Sequence, residues 1–230
     1  YTLLDKDGNE VSTTPAYAED GTTPIGTFTV DKATGVVTFT PTDKSYTGKV
    51  TPVKVQAESS NGIKVDTTYT PEIVPVTPTA TPAETTDIQG ATQKGKPEFK
   101  GGTVTVDGVE KTVPINEDVP ATFEDGSTTK TVEGVGTYTV AADGTVTFVP
   151  EKSFVGTAPA VTVVREDKNG TKASATYTPT VLPVTPEATS AETKDIQGAT
   201  QTGKPEFKGG TVTVDGVEKT VAINEDVPAT

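Results

Sequence analysis

The chain has 230 residues, a formal net charge of −13, and no Cys, Met, His or Trp. Those absences remove imidazole bases, thiolate nucleophiles and soft metal ligands, while a lone arginine, Arg165, and no clustered cations argue against nucleic acid or anionic lipid as a partner. No apolar run approaches the roughly 20 residues of a membrane span, no signal peptide is present, and the lack of an initiator Met reads as an internal piece of a longer protein.

About a fifth of the residues are Thr, and Val is abundant; β-branched side chains suit a pleated surface. Taken in chain order, Asp5-Lys6-Asp7-Gly8-Asn9-Glu10 opens like a calcium loop. An EF-hand would need Gly where Glu10 stands and Glu where Ala16 stands, so a hairpin turn is expected. Phe28-Thr29-Val30 and Val37-Thr38-Phe39 alternate with period 2, as half-buried antiparallel strands do. Pro71 to Pro82 is a Pro/Thr-rich separator. Asp107-Gly108, between Thr103–Val106 and Val109–Val113, is a two-residue hairpin signal.

Asn116-Glu117-Asp118 and its copy Asn224-Glu225-Asp226 read as solvated turns before Pro120 and Pro228, or as contributors to calcium sites at domain junctions. Tyr138-Thr139-Val140 and Val146-Thr147-Phe148, around a turn at Ala142-Asp143-Gly144, repeat the earlier strand pair. A third hairpin joins Val161–Val164 to Lys172–Tyr177 across Asp167-Lys168-Asn169-Gly170. Pro179 to Pro186 is a second separator, and each separator, with the Ala/Glu/Thr segment after it, is expected to link domains or to form an edge strand before the next sandwich. With no helical periodicity, the expectation is an all-β chain of tandem antiparallel β-sandwiches, immunoglobulin-like, joined by Pro/Thr-rich linkers; a β-barrel is the alternative. A linker of about 20 residues would reach roughly 60 Å at about 3.1 Å per residue.

The chain also repeats itself. Asp87–Thr122 recurs 108 residues later as Asp195–Thr230, identical at 34 of 36 positions; Lys94 stands against Thr202 and Pro114 against Ala222. Looser matches fill the period, among them Gly48 with Gly156, Val53 with Val161, and Tyr69-Thr70-Pro71 with Tyr177-Thr178-Pro179. Such a period is domain-sized rather than solenoid-sized. One phasing makes 77–184 a complete repeat, 1–76 the C-terminal part of another and 185–230 the N-terminal part of a third. The other phasing divides the chain into 1–122 and 123–230.

Gly136-Thr137-Tyr138-Thr139-Val140, Asp143 to Pro150, Ser153-Phe154-Val155-Gly156, Tyr177 to Val181 and Pro183 to Pro186 together resemble the CshA-type fibril repeat of streptococcal cell-surface fibrillar adhesins. The first unit resembles it through Gly26 to Val30, Gly35 to Pro41, Tyr46-Thr47-Gly48 and Tyr69-Thr70-Pro71. Gln89-Gly90, Gln93 and Pro97-Glu98-Phe99 fit the same pattern, and Lys111–Thr131 fits least.

The resemblance implies a fibrillar stalk, cell-wall anchored and extracellular, that carries an adhesive tip. Its implied partners are neighbouring repeats of the same fibril, with host or bacterial surface ligands reached through the full-length protein. No cofactor, metal or catalytic residue is expected. Glu166-Asp167 is expected in an exposed turn, with no cleft to raise a carboxylate's pKa. Lys–Asn isopeptide bonds of surface stalks need an Asn on the closing strand; Lys172–Tyr177 has none, and Asn9, Asn61, Asn116, Asn169 and Asn224 fall in turns or near strand ends. Two functions compete: a spacer that supplies length, and a weak binding module multiplied by avidity.

Overall fold

The computed structural model describes residues 1–226, so Pro228 and the boundary at Thr230 fall outside the described residues. Every regular element described is a strand. The chain divides into two compact units, one gathering Tyr1–Thr79, Lys100–Asn116 and Glu166–Ala173, the other Ala80–Phe99, Glu117–Arg165 and the residues from Ser174 onward.

The second unit holds the fuller sandwich. One sheet runs Gln93–Gly95, Val146–Pro150, Gly136–Val140, Thr129–Val132 in spatial order. The facing sheet runs Ala83–Ile88, Lys172–Leu182, Val161–Glu166, Thr122–Phe123, with Gly156–Thr157 joined to Lys172–Leu182. Period-2 alternation sends Tyr138, Val140, Val146 and Phe148 from one sheet, and Phe123, Val161, Val163, Tyr177 and Val181 from the other, into a single core. Each such side chain stabilises the fold by about 1.5–3 kcal/mol on burial. Tyr138 lies opposite Phe148 in the ladder, with ring centroids 4.6 Å apart. The alternate positions face outward, where Thr131 and Thr137 meet across the strands at 3.1–3.2 Å, as do Thr157 and Thr180.

The first unit repeats the plan with fewer strands. Its sheets run Glu10–Val11, Thr2–Leu4, Val53–Glu58, Lys64–Tyr69, and Thr13–Tyr17, Pro24–Val30, Val37–Pro41. They enclose Leu3, Ala16, Ile25, Phe28, Val30, Val50, Val53 and Val55. The expected pairing of Phe28 with Phe39 is present.

Two expectations need correction. The sandwiches are antiparallel except at one seam, where Ala83–Ile88 runs parallel to Tyr177–Leu182. The separators are also shorter than their composition suggests. Glu72–Ile73 pairs with Gly48–Lys49, Thr79–Thr81 pairs with Glu98–Lys100, and Pro179 lies inside the strand Lys172–Leu182. The longest strand-free runs of the separators are 74–78 and 183–186. At about 3.1 Å per residue the former spans only about 15 Å.

Those short stretches are packed as well. A Cβ on Gly102 would lie 2.5 Å from the Thr77 carbonyl oxygen, and one on Gly210 2.3 Å from that of Thr185. Glycine lets each duplicated hairpin rest on the separator that precedes it.

The duplicated segment separates local from tertiary causes. Both hairpins form, Gly102–Val106 with Val109–Val113 and Gly210–Val214 with Val217–Val221. Both turns place Asp then Gly in the left-handed region, at φ 51° and 77° and again at 49° and 78°, as a type I′ turn requires. By contrast, Ala83–Ile88 and Gln93–Gly95 are strands, whereas the identically placed residues 191–196 and 201–203 are not. Ile88 is 7 % exposed and its copy Ile196 79 %. The difference is the ladder partner.

Candidate functional site

The seam that closes the second sandwich is its most elaborate polar site. Gln93 is 3 % exposed, a costly place for an amide unless every group is bonded. Its Nε2 donates to the Thr180 carbonyl at 2.9 Å. The Thr85 hydroxyl donates to Gln93 Oε1 at 2.6 Å and in turn accepts from the fully buried Tyr177 hydroxyl at 2.7 Å. Gly95 completes the seam because nothing larger fits: a Cβ there would lie 2.1 Å from Tyr177 Cε2. The chain Tyr177–Thr85–Gln93–Thr180 ties the two sheets together at one edge. Sequence reading marked Gln93 within the repeat pattern and assigned it no role.

Gln93→Ala should cost about 2 kcal/mol, because it leaves the Thr180 carbonyl without its Nε2 donor and takes one partner from the Thr85 hydroxyl in a nearly dry site. Urea denaturation checks this, and a loss below about 0.5 kcal/mol would show the network to be dispensable.

The acidic loops are organised by hydrogen bonds to their own backbones. Asp5 accepts from the backbone N–H of Asp7 and Asn9 and from Asn9 Nδ2. This holds its carboxyl low, the Asn9 side chain first. The loop is thus a turn whose leading carboxylate is already engaged. Asp20, bonded by the Thr23 hydroxyl and the backbone of Thr23 and Thr22, falls to about 2. The Lys96 ammonium, 2.8 Å away, and Thr145 hold Asp143 well below the usual carboxylate range. Beside the Asp5 loop lies an open groove of about 710 Å³, lined by Asp5, Tyr17, Phe28, Thr51 and Lys54 among others.

The junction residues Glu117 and Asp118 are exposed in a turn, with Asn116 half-buried beside them. Asn116 N–H donates to the Glu166 carbonyl at 2.8 Å, and Glu117 Oε2 accepts from the buried Arg165 Nη2 at 2.9 Å. In the copy, Asn224 Oδ1 accepts from the Asp226 N–H, and all three residues are exposed. Among the described residues, no group of three or more acidic side chains converges on a common point. Asn9, Asn61, Asn116, Asn169 and Asn224 all lie outside strands.

Asp167 requires a correction. It was expected exposed and is fully buried, with Oδ1 accepting from the N–H groups of Asn169 and Thr171. The turn wraps around its carboxylate, and tertiary packing covers it; the residue types alone carry no sign of this.

Ionisation should set the limits of stability. Asp20 has a native value near 2 against an ordinary 3.8, so its ionised form favours the fold. That contribution is complete above about pH 4 and is lost as the pH falls toward 2. Burial pushes Tyr138 up to about 12 and raises Tyr177. Their neutral forms favour the fold fully below pH 10, and the contribution of Tyr138 is lost as the pH rises from 10 through about 12. Phe28 occupies the place of Tyr138 in the first sandwich. Alkaline titration followed by circular dichroism should therefore unfold the second sandwich first, and simultaneous loss of both would refute the assignment.

Two β-sandwiches in tandem, with a duplicated segment of 36 residues, define a repeat module. The chain belongs to the family of the surface adhesin CshA repetitive domain, whose model matches residues 1–73 and 75–181. The second match runs through Lys111–Thr131, the stretch that resembled the family least.

Among solved structures, the chain is similar to the NMR structure of repeat domain 13 of the fibrillar adhesin CshA from Streptococcus gordonii. Identity is 63 %, covering 29 % of this chain and 86 % of that one, with a TM-score of 0.19. It is also similar to the N-terminal eight immunoglobulin domains of Down Syndrome Cell Adhesion Molecule isoform 1.30.30. Identity there is 17 %, covering 86 % of this chain and 27 % of that one, with a TM-score of 0.33. A search of curated proteins finds no match. The chain is an adhesin repeat of the extracellular surface.

Proposed function

We propose that this chain is a stalk segment of a cell-wall-anchored fibrillar adhesin, in which each repeat supplies length beneath an adhesive tip. In this reading 77–184 is one complete repeat. The parallel seam of Ala83–Ile88 on Tyr177–Leu182 supports that phasing, because it joins a strand near the start of the repeat to its last.

The observation that carries the stalk reading is the surface of 77–184. All six of its aromatics (Phe99, Phe123, Tyr138, Phe148, Phe154 and Tyr177) are buried or half-buried, and its exposed large apolar residues are Val109, Val149 and Val155. A weak binding module would need an aromatic or apolar patch to recognise its ligand. Net charge of −13 on threonine-coated beads suits soluble, mutually repelling fibrils instead.

The test is to display the adhesive tip on stalks of different repeat number. Tip height measured on the cell surface should rise in step with repeat number, while repeats without a tip leave host cells unbound. Binding by tipless repeats would overturn the proposal.

A further inference from the structure

The duplicated segment opens on an aspartate and carries a lysine 24 residues further on: Asp87 with Lys111, and Asp195 with Lys219. The two copies meet through these residues. Lys219 Nζ donates to both oxygens of the Asp87 carboxylate, each at 2.7 Å. The pair spans 132 residues of chain, one 108-residue period beyond the spacing within a copy. Solvated ion pairs between long side chains often contribute nothing measurable. This one differs in geometry: one ammonium holds both carboxylate oxygens, the carboxylate is 17 % exposed, and its Oδ1 also accepts from the Ile88 N–H.

Apolar packing accompanies the charge pair. Gly210–Val214 of the second hairpin lies against Ala83–Ile88, and Val214 is buried. Strand and hairpin line one shallow groove of about 370 Å³, to which Glu84, Thr85 and Asp87 contribute from one side and Val214, Val217 and Lys219 from the other. Each half of the contact is set by local sequence. Asp195 Oδ1 accepts from the Ile196 N–H at 2.7 Å, as Asp87 Oδ1 does from Ile88, and both hairpins share one register. The first hairpin docks in the same direction: Lys100–Asn116 belongs to the compact unit of Tyr1–Thr79, the sandwich that precedes it. Backward docking is therefore a property of both copies, including the one with a complete sandwich after it.

We infer that the duplicated hairpin is the joint of the repeat array: it docks on the sandwich one repeat before it and is latched there by its lysine on that repeat's aspartate. The partner is a neighbouring copy of the same segment in the same chain. Each copy carries both halves of the latch, an Asp that receives and a Lys that reaches back. The latch keeps the hairpin from swinging on the strand-free stretch 183–186, so a stretch too short to serve as a spacer becomes a fixed joint. Closing it costs little ordering, because both halves are preformed. The inference rests on the stalk reading proposed above, for which it names the contact between successive repeats.

The test is the distance between two nitroxide labels on the 230-residue chain, which has no cysteine of its own. One label goes on Thr139→Cys, exposed on a strand of the second sandwich, and the other on Thr213→Cys, exposed on the hairpin. Pulsed electron paramagnetic resonance should give one narrow distance. Lys219→Glu should abolish the narrow peak while the strand signal in circular dichroism stays unchanged, and Lys219→Arg should keep the peak. Lys111→Glu, the same change in the first hairpin, should leave it unaltered. A broad distribution in the unsubstituted chain overturns the inference. So does a peak that ignores Lys219→Glu, that answers equally to Lys111→Glu, or that is lost only together with the strand signal. The stalk reading fails separately: host binding by tipless repeats, beside a narrow peak that Lys219→Glu abolishes, would remove the stalk and leave the latch.

Discussion

Replacing Gly95 by valine should destabilise the second sandwich and leave the first unchanged. The position has no spare volume: a Cβ would lie 2.1 and 2.5 Å from Tyr177 Cε2 and Cδ2. The ring has no room to retreat. It is fully buried, it packs in the core with Tyr138, and its hydroxyl is tied to Thr85. Overpacking of this kind costs about 3 kcal/mol or more. For a domain of about 100 residues that lowers Tm by roughly 12 °C or more. Calorimetry should show one transition displaced and one unchanged. If both transitions stay where they were, Gly95 is not the closing contact assigned to it.

Tyr177→Ala and Tyr69→Ala should differ several-fold in cost although the two tyrosines occupy the same place in the repeat. Tyr177 is completely covered, and its removal leaves a cavity beside Tyr138 and takes one of two partners from the Thr85 hydroxyl; the loss should be about 3–5 kcal/mol. Tyr69 is 38 % exposed and packs chiefly on Phe28, so its loss should be about 1–2 kcal/mol. Chemical denaturation of the two single variants reads the difference directly. Equal costs would mean that residues 83–95 contribute little to the burial of Tyr177.

Much of the local architecture was legible because it depends on neighbours in sequence. The alternation around Tyr138 and Phe148 and around Phe28 and Phe39 named both strand pairs, with their inward faces. Asp107-Gly108 named its turn, since few dipeptides accept two consecutive left-handed residues. Other features were not legible. Pro179 argued for a linker, yet its carbonyl accepts from the Ala158 N–H at 2.9 Å and the residue lies in a strand. Asp167 argued for an exposed turn and is buried. In each case residues distant in sequence supply the partner or the cover.

The 36-residue duplication draws the line between the two kinds of cause. By itself the sequence determines what recurs in both copies: the hairpin with its Asp-Gly turn, and the hydroxyl of Thr85 or Thr193 bonded to the amide of Gln93 or Gln201. These contacts span at most about a dozen residues, and little loop entropy opposes them. Only the tertiary structure decides whether 83–88 or its copy becomes a strand and whether Ile88 or Ile196 is buried. An extended segment cannot satisfy its own backbone; it needs a ladder partner, and Ala83–Ile88 finds its partner some 94 residues away at Tyr177–Leu182.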